Sequence, residues 1–275
     1  MSSLSCWTCV LSGVILAFNP QASCIIAPQA CDLYLPCDDK IWSARSARDW
    51  MAQGGDKQMR KGATLWKTVK ALLLDQPVSD RISSFGLVSL IGCMLAYICG
   101  HERLALEILD DFEGAFVKRM ERSLGAWESL WRRHPDAELV PTRRGDPLLA
   151  DCFPLLGSAY YHLYVGMELR TLKCVANDIG STVPLPTVCA NSSVLKAVRY
   201  AANSWLIRAK IGVEHLKRAA PLEYGGHITV SAFEGGKSVS HSANACVRRR
   251  GESRDSFRHL VLSLAIQLFA LSRWR

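Results

Sequence analysis

A stretch of nineteen residues, Ile82–Gly100, carries no charged side chain, and this feature limits the folds that are open to the chain. Spanning a bilayer takes about 20 predominantly apolar residues, so the stretch is long enough for a transmembrane helix. It also contains six serines and glycines, which lower its hydrophobicity. A helix that is buried on all sides in a large helical protein shows the same pattern. The sequence therefore predicts either a core helix or a membrane span here.

The N-terminal stretch Met1–Cys31 is also uncharged and offers a second candidate span. A secretory signal peptide would place basic residues before its apolar segment, and this stretch has none. Residues 3–18 instead predict a buried apolar helix that stops at Asn19-Pro20. A helical membrane protein with spans near 4–18 and 82–100 remains the alternative to a protein in which both helices are core helices.

Composition separates the chain from the disordered and disulfide-rich classes. Of its 275 residues, 49% are hydrophobic and 21% are charged, which is enough to bury a substantial core. Eleven cysteines, an odd number, are too sparse for a disulfide-stapled secreted domain. The net charge of +8 is modest, and the basic residues form small groups that mostly have acidic neighbours. Such groups are typical of solvated helix faces, and Arg248–Arg250 is the best candidate for a phosphate-contacting patch.

Apolar residues recur at helical spacing along most of the chain, without an alternation of strands and helices. This pattern indicates an all-α fold with eight or nine helices in one irregular helical domain. Helices are predicted over residues 3–18, 43–53, 56–76, 83–100, 104–134, 147–178, 194–217 and 255–274. A bend is expected near Gly114 and a kink at Pro154. The predicted organisation is a helical domain over 1–223, a loop or insertion over 224–253, and the final helix of the same domain over 254–275.

Three groups of residues could carry chemistry, and each lacks a necessary partner. Cys6 and Cys9 form a Cys-x-x-Cys motif without the second cysteine pair of a zinc site or the strand context of a redox site. Asp110 and Asp111 resemble a magnesium motif of all-α enzymes, but no second acidic cluster accompanies them. His162 lies in a mostly apolar run and is interpreted as a core residue rather than a base.

Common catalytic signatures are also missing from the sequence. It contains no nucleophile elbow, phosphate loop or dinucleotide-binding fingerprint. The sequence therefore predicts no catalytic residue, no cofactor-binding residue, no metal ligand and no cofactor, and a protein that is not an enzyme. An all-α enzyme that uses Asp110 and Asp111 stays open as a third interpretation.

The most distinctive segment of the chain is residues 31–50, CDLYLPCDDKIW followed by SARSARDW. It resembles the Asp-Leu-x-Leu-Pro-Cys-Asp-x-x-Leu-Trp-x-Ala-x-x-Ala-x-x-Trp stretch of the fungal-specific transcription factor domain. That domain is the large helical regulatory region of many fungal zinc-finger regulators. Further segments agree with it in order and hydrophobic pattern, namely Cys9–Phe18, Phe85–Gly100, Gly145–Leu148, Tyr160-Tyr161 and Leu264–Trp274.

The resemblance implies a nuclear transcription regulator that acts through protein contacts, with other transcription regulators or a second copy of itself as partners and no membrane. Genes for such regulators often lie beside the biosynthetic genes that they control, which implies control of a secondary-metabolite gene cluster. The cysteines do not form the family's zinc finger, so the chain is expected to be a truncated or degenerate member that contacts DNA only indirectly or weakly. The turn at Leu35-Pro36-Cys37 is expected to be structural, with Leu35 and Trp42 anchored in the core.

Overall fold

The computed structural model describes residues 2–18, 33–57, 63–78, 82–104, 110–137 and 146–177, together with residues 192, 196, 197 and 200. Within this part of the chain 78% of the residues are helical and none lies in a strand, which confirms the all-α fold class. The helices are α1 (Ser2–Phe18), α2 (Asp39–Trp42), α3 (Ala47–Ala52), α4 (Leu65–Leu73), α5 (Ser84–Leu104), α6 (Asp110–Arg133) and α7 (Pro147–Asn177). Residues 55–57 are also helical. The predicted loop over 224–253 and the predicted helix over 255–274 lie outside the described residues.

Helix α5 occupies the centre of the core and packs against both α1 and α7. Its apolar side chains are buried around most of its circumference, as expected for a core helix. Residues Ser84–Glu102 are long and apolar enough to cross a membrane by length and composition, but 78% of the apolar window is buried inside the protein. In the described structure, this apolar segment is therefore mostly covered by the other helices.

Glycines bring the backbones of α1 and α5 into direct contact. A methyl group added at Gly13 would lie 2.4 Å from the carbonyl oxygen of Gly92, and one added at Gly92 would lie 2.8 Å from the Cα of Val10. No Cβ atom fits at such distances from backbone atoms. Gly92, one of the small residues that lower the hydrophobicity of α5, thus lets α1 approach closely.

Two buried tryptophans attach α6 to the rest of the core. The Nε1 of Trp127 donates a hydrogen bond to the carbonyl oxygen of Leu87 at 3.1 Å, and the Nε1 of Trp131 donates to that of Leu149, also at 3.1 Å. These bonds satisfy the polar atoms of two large apolar side chains, which would otherwise be costly to bury. Helix α6 is thereby fixed to α5 and α7 at its C-terminal half.

Helix α3 lies within the helix predicted over 43–53: it begins four residues later, at Ala47, and ends at Ala52, next to the predicted end. The Oγ of Ser46 accepts a hydrogen bond from the backbone N–H of Asp49 at 3.1 Å, which makes Ser46 the N-cap. Gly54 has a φ of +82°, a conformation that glycine adopts without strain, and it follows the helix end.

Three local predictions differ from the structure. The helix expected over residues 56–76 is interrupted: residues 55–57 are helical, but Thr64 is extended and pairs with Tyr34, and α4 begins at Leu65. Helix α6 is continuous through Gly114, where a bend was expected. Helix α7 continues through Pro154, and its non-helical residue is Val165 instead.

Candidate functional site

The segment that carries the family resemblance forms a turn held by its neighbours. The backbone N–H of Leu35 donates to the carbonyl oxygen of Ala63 at 2.9 Å, and that of Leu65 donates to Leu33 at 2.7 Å. From the start of α5, the Oγ of Ser83 donates to the carbonyl oxygen of Pro36 at 2.7 Å. The turn is therefore attached to the N-termini of both α4 and α5. Leu35 packs against the core cluster, as expected.

Trp42 is not the core anchor that the sequence suggested. Its side chain is 71% exposed, whereas the adjacent Ile41 is only 9% exposed. Neighbouring residues of a helix point about 100° apart, so the single-turn helix α2 cannot bury both side chains against one surface. Ile41 takes the buried position, and Trp42 therefore faces solvent.

The turn and the two short helices after it carry much of the exposed apolar surface of the described residues. Besides Trp42, Tyr34 is 45% exposed and Met51 is 61% exposed. Tryptophan, tyrosine and methionine are enriched at protein–protein interfaces relative to the rest of the surface. This exposed set lies within residues 31–50 or directly after them.

A second candidate site is a cleft of about 610 Å³ between α6, α7 and residues 196 and 200. We call it the tyrosine cleft. It is lined by Glu121, Arg122, Glu128, Arg132, Tyr160, Tyr164, Lys196 and Tyr200.

Each glutamate of the tyrosine cleft accepts hydrogen bonds from tyrosine. The Oε1 of Glu128 accepts from the hydroxyl groups of Tyr160 at 2.8 Å and Tyr200 at 3.0 Å. The Oε1 of Glu121 accepts from the hydroxyl group of Tyr164 and from the ammonium group of Lys196, both at 2.5 Å. The carboxylates are thus held in fixed positions by donors from another part of the chain.

The tyrosine rings of the cleft also contact one another. The ring centroids of Tyr160 and Tyr200 are 3.7 Å apart with nearly parallel planes, and those of Tyr160 and Tyr164 are 5.9 Å apart. The Nζ of Lys196 lies 5.5 Å from the centre of the Tyr164 ring, within the range of a cation–π contact.

The electrostatics of the cleft keep its phenols protonated. Burial raises the pKa of Tyr160, Tyr164 and Tyr200, and the nearby negative glutamates raise it further, to about 12 for Tyr200. Burial by itself would raise the pKa of Glu121, but hydrogen bonds from Lys196 and Tyr164 outweigh it and lower the pKa. Near neutral pH the tyrosines are therefore hydrogen-bond donors rather than bases or nucleophiles.

Two of the residue groups considered from the sequence lie in the described core. Cys6 and Cys9 are buried in α1, and a hydrogen bond with Cys93 of α5 lowers the pKa of the Cys9 thiol against the opposing effect of burial. His162 is buried in α7, where its Nδ1 lies 2.9 Å from the Oε2 of Glu102.

Two other groups are only partly described or not described. Helix α6 begins at Asp110, but the side chains of Asp110 and Asp111 lie outside the described residues. Arg248–Arg250 lie outside them altogether.

Sequence reasoning missed the tyrosine cleft. Tyr160 and Tyr164 are four positions apart on one helix, and Glu121 and Glu128 are seven apart on another, so each pair shares a helix face. These spacings could have suggested two polar stripes. No local pattern could have shown that the stripes face each other or that Tyr200 joins them.

Comparison with known proteins gave no relationship: no family model matches the chain, and no curated protein or solved structure matches it significantly.

Proposed function

We propose that this protein is a transcription regulator of the fungal zinc-finger factor type. It works in the nucleus and acts through contacts with other transcription regulators or with a second copy of itself. Its contact with DNA is indirect or weak. Its targets are the genes of a secondary-metabolite biosynthetic cluster.

The observation that carries the proposal is the family-like segment 31–50, of which residues 33–50 are described and include a turn with a defined structure. Hydrogen bonds from α5 and from the residues before α4 hold the backbone of this turn. An all-helical core with a central small-residue helix supports the same assignment, because the family's regulatory region is helical throughout.

The exposed side chains of this region support action through protein contacts. A tryptophan that is 71% exposed is unusual on the surface of a monomer, and tryptophan is the residue type most often found at interface hot spots. In the tyrosine cleft, the raised tyrosine pKa values favour hydrogen bonding over acid–base chemistry by these side chains at neutral pH.

A transcription assay tests the proposal. The full chain is fused to an unrelated DNA-binding domain whose operator precedes a reporter gene, and reporter transcription is compared with that of the DNA-binding domain alone. We expect the fusion to change transcription several-fold and Trp42→Ala to remove most of the change. Leu74→Ala is the matched control, because Leu74 is a large apolar residue that is 61% exposed at the end of α4. A stable nuclear fusion without effect on the reporter would contradict the proposal.

A helical membrane protein is the second candidate function, and the length and apolar composition of Ser84–Glu102 favour it. Extraction of cell membranes with alkaline carbonate separates the two proposals. A regulator is released into the supernatant, whereas a protein with spanning helices stays in the pellet.

A further inference from the structure

A histidine, a glutamate and a cysteine that belong neither to the turn nor to the lining of the tyrosine cleft meet between α5 and α7. Cys99 and Glu102 are three positions apart on α5, so their side chains share a face, and His162 approaches from α7. The Sγ of Cys99, a carboxylate oxygen of Glu102 and a ring nitrogen of His162 all lie within 4.8 Å of one another. The Oε2 of Glu102 and the Nδ1 of His162 are 2.9 Å apart.

The backbone of α7 is shaped to admit the glutamate. A methyl group added at Gly166, one turn beyond His162, would lie 2.8 Å from the Cδ and 2.9 Å from the Oε2 of Glu102. A side chain at position 166 would therefore displace the Glu102 carboxylate from its present position. The preceding residue, Val165, is the one non-helical residue reported within the described span of α7.

Because the cluster is buried, a simple ion pair of Glu102 and His162 would carry a large desolvation cost. The side chains of His162 and Glu102 are 4% and 12% exposed, and Cys99 is 2% exposed. Glu102 is also the only acidic residue of α5. Taking a carboxylate and an imidazolium out of water costs several kcal/mol for each ion, which their mutual attraction offsets only in part. A divalent cation would compensate the buried carboxylate more completely.

We propose that Cys99, Glu102 and His162 form a binding site for a zinc-like divalent transition metal. Thiolate sulfur, imidazole nitrogen and carboxylate oxygen are the three ligand types that zinc combines, and zinc sites with three protein ligands complete their shell with water. In a tetrahedral zinc shell the ligand atoms lie about 3–4 Å from one another, so binding would draw this group slightly closer together.

The donor types also decide between classes of metal. Magnesium and calcium prefer shells made of oxygen, whereas a thiolate with an imidazole selects zinc and its neighbours in the transition series. Binding requires Cys99 to lose its thiol proton and His162 to present a bare Nδ1, and these protons pass to solvent. Affinity should therefore fall as the pH is lowered. This inference stands independently of the proposed role in transcription.

Cobalt(II) is the probe, because it replaces zinc in such sites and absorbs light. The full chain is stripped with a chelator and titrated with cobalt(II) under reducing conditions. We expect a thiolate-to-cobalt charge-transfer band in the near ultraviolet and visible bands of four-coordinate geometry, both complete at one equivalent and both abolished by zinc. Saturating zinc, at about 100 times its Kd, should raise the melting temperature by roughly 5–10 °C.

Variants locate the site. Cys99→Ala should remove the charge-transfer band and the zinc-dependent rise in melting temperature. The matched control is Cys93→Ala, a buried cysteine six positions earlier on the same helix, which should keep both. Glu102→Gln should weaken cobalt binding at least tenfold while leaving the thiolate band in place at saturation.

If Cys99→Ala fails to fold, X-ray absorption of the zinc-loaded wild-type protein decides instead. One sulfur with nitrogen and oxygen neighbours supports the site, and several sulfurs overturn it. The proposal also fails if the wild-type chain gives no thiolate band, or if the band survives Cys99→Ala or disappears with Cys93→Ala. Those results would leave Glu102 and His162 as a buried ion pair.

Discussion

At the scale of single residues, the two side chains at the end of α2 show how local geometry overrides a family expectation. Residues 41 and 42 both carry large apolar side chains, and the sequence pattern gave no reason to bury only one of them. Ile41 is 9% exposed and Trp42 is 71% exposed. The tryptophan is therefore available for binding, and the isoleucine is buried.

This assignment predicts opposite effects for two adjacent substitutions. Ile41→Ala should lower the free energy of unfolding by about 2–4 kcal/mol, because it removes buried methyl and methylene groups. Trp42→Ala should change it by no more than about 0.5 kcal/mol, as for ordinary surface positions. Urea unfolding followed by circular dichroism measures both. If Trp42→Ala lost as much stability as Ile41→Ala, Trp42 would have to be a buried core residue, contrary to this assignment.

The tyrosine cleft predicts a loss of stability at alkaline pH. Burial and the neighbouring Glu128 raise the pKa of Tyr200 from 10.0 to about 12, so between these values the unfolded chain releases a proton that the folded chain keeps. The contribution of Tyr200 to stability is therefore complete below pH 10 and is lost as the pH rises toward 12. Melting temperatures measured from pH 9 to 11 should fall less steeply for Tyr200→Phe than for the wild type. The exposed Tyr34, as Tyr34→Phe, serves as control, and equal slopes for all three proteins would contradict the prediction.

At the scale of the helices, the contact between α1 and α5 rests on glycine. An alanine side chain at Gly92 would overlap the Cα of Val10, a backbone atom that cannot turn aside. Gly100 lies on the same helix, and a methyl group added there would meet nothing within 4 Å. The two glycines thus have the same helical propensity and different surroundings.

Gly92→Ala should therefore destabilise the protein by about 1–3 kcal/mol, the usual cost of overpacking a core. Gly100→Ala should stabilise it by up to about 1 kcal/mol, since alanine is the better helix former. Thermal unfolding of the two variants in parallel gives the comparison. A Gly92→Ala protein as stable as Gly100→Ala would show that α1 and α5 are not in close contact.

The sequence predicted helices best where the spacing of apolar residues within the helix was enough to identify it. The predicted bounds of α1, α5 and α7 agree with the observed bounds to within a few residues. Each of these helices carries a long apolar pattern with a clear stop or cap. The start of α4 was wrong because Thr64 bonds with a segment thirty residues earlier, and no helical period reports such a contact. The same limit applies to the tyrosine cleft, where Glu128 meets Tyr160 across 32 positions.

At the scale of the whole molecule, net charge and its distribution bear on how the protein meets DNA. A charge of +8 on 275 residues attracts phosphates in general. In the described residues, two basic groups are engaged with carboxylates of the chain itself: Arg132 pairs with Glu128 at 3.4 Å, and Lys196 pairs with Glu121. Such pairing reduces the positive charge that these two side chains offer to a DNA duplex.

We therefore predict that the isolated chain binds duplex DNA without sequence preference. Binding by charge alone releases counterions, so its affinity should fall steeply between about 50 and 200 mM salt and should be the same for unrelated duplexes. Fluorescence anisotropy with promoter fragments from a biosynthetic gene cluster and with shuffled fragments of equal length measures both properties. A chain that reads bases would instead bind one fragment at least about a thousandfold more tightly than the shuffled fragment at physiological salt. Finding such a preference would mean that this chain reads bases itself, and that a partner is not needed to bring it to its target genes.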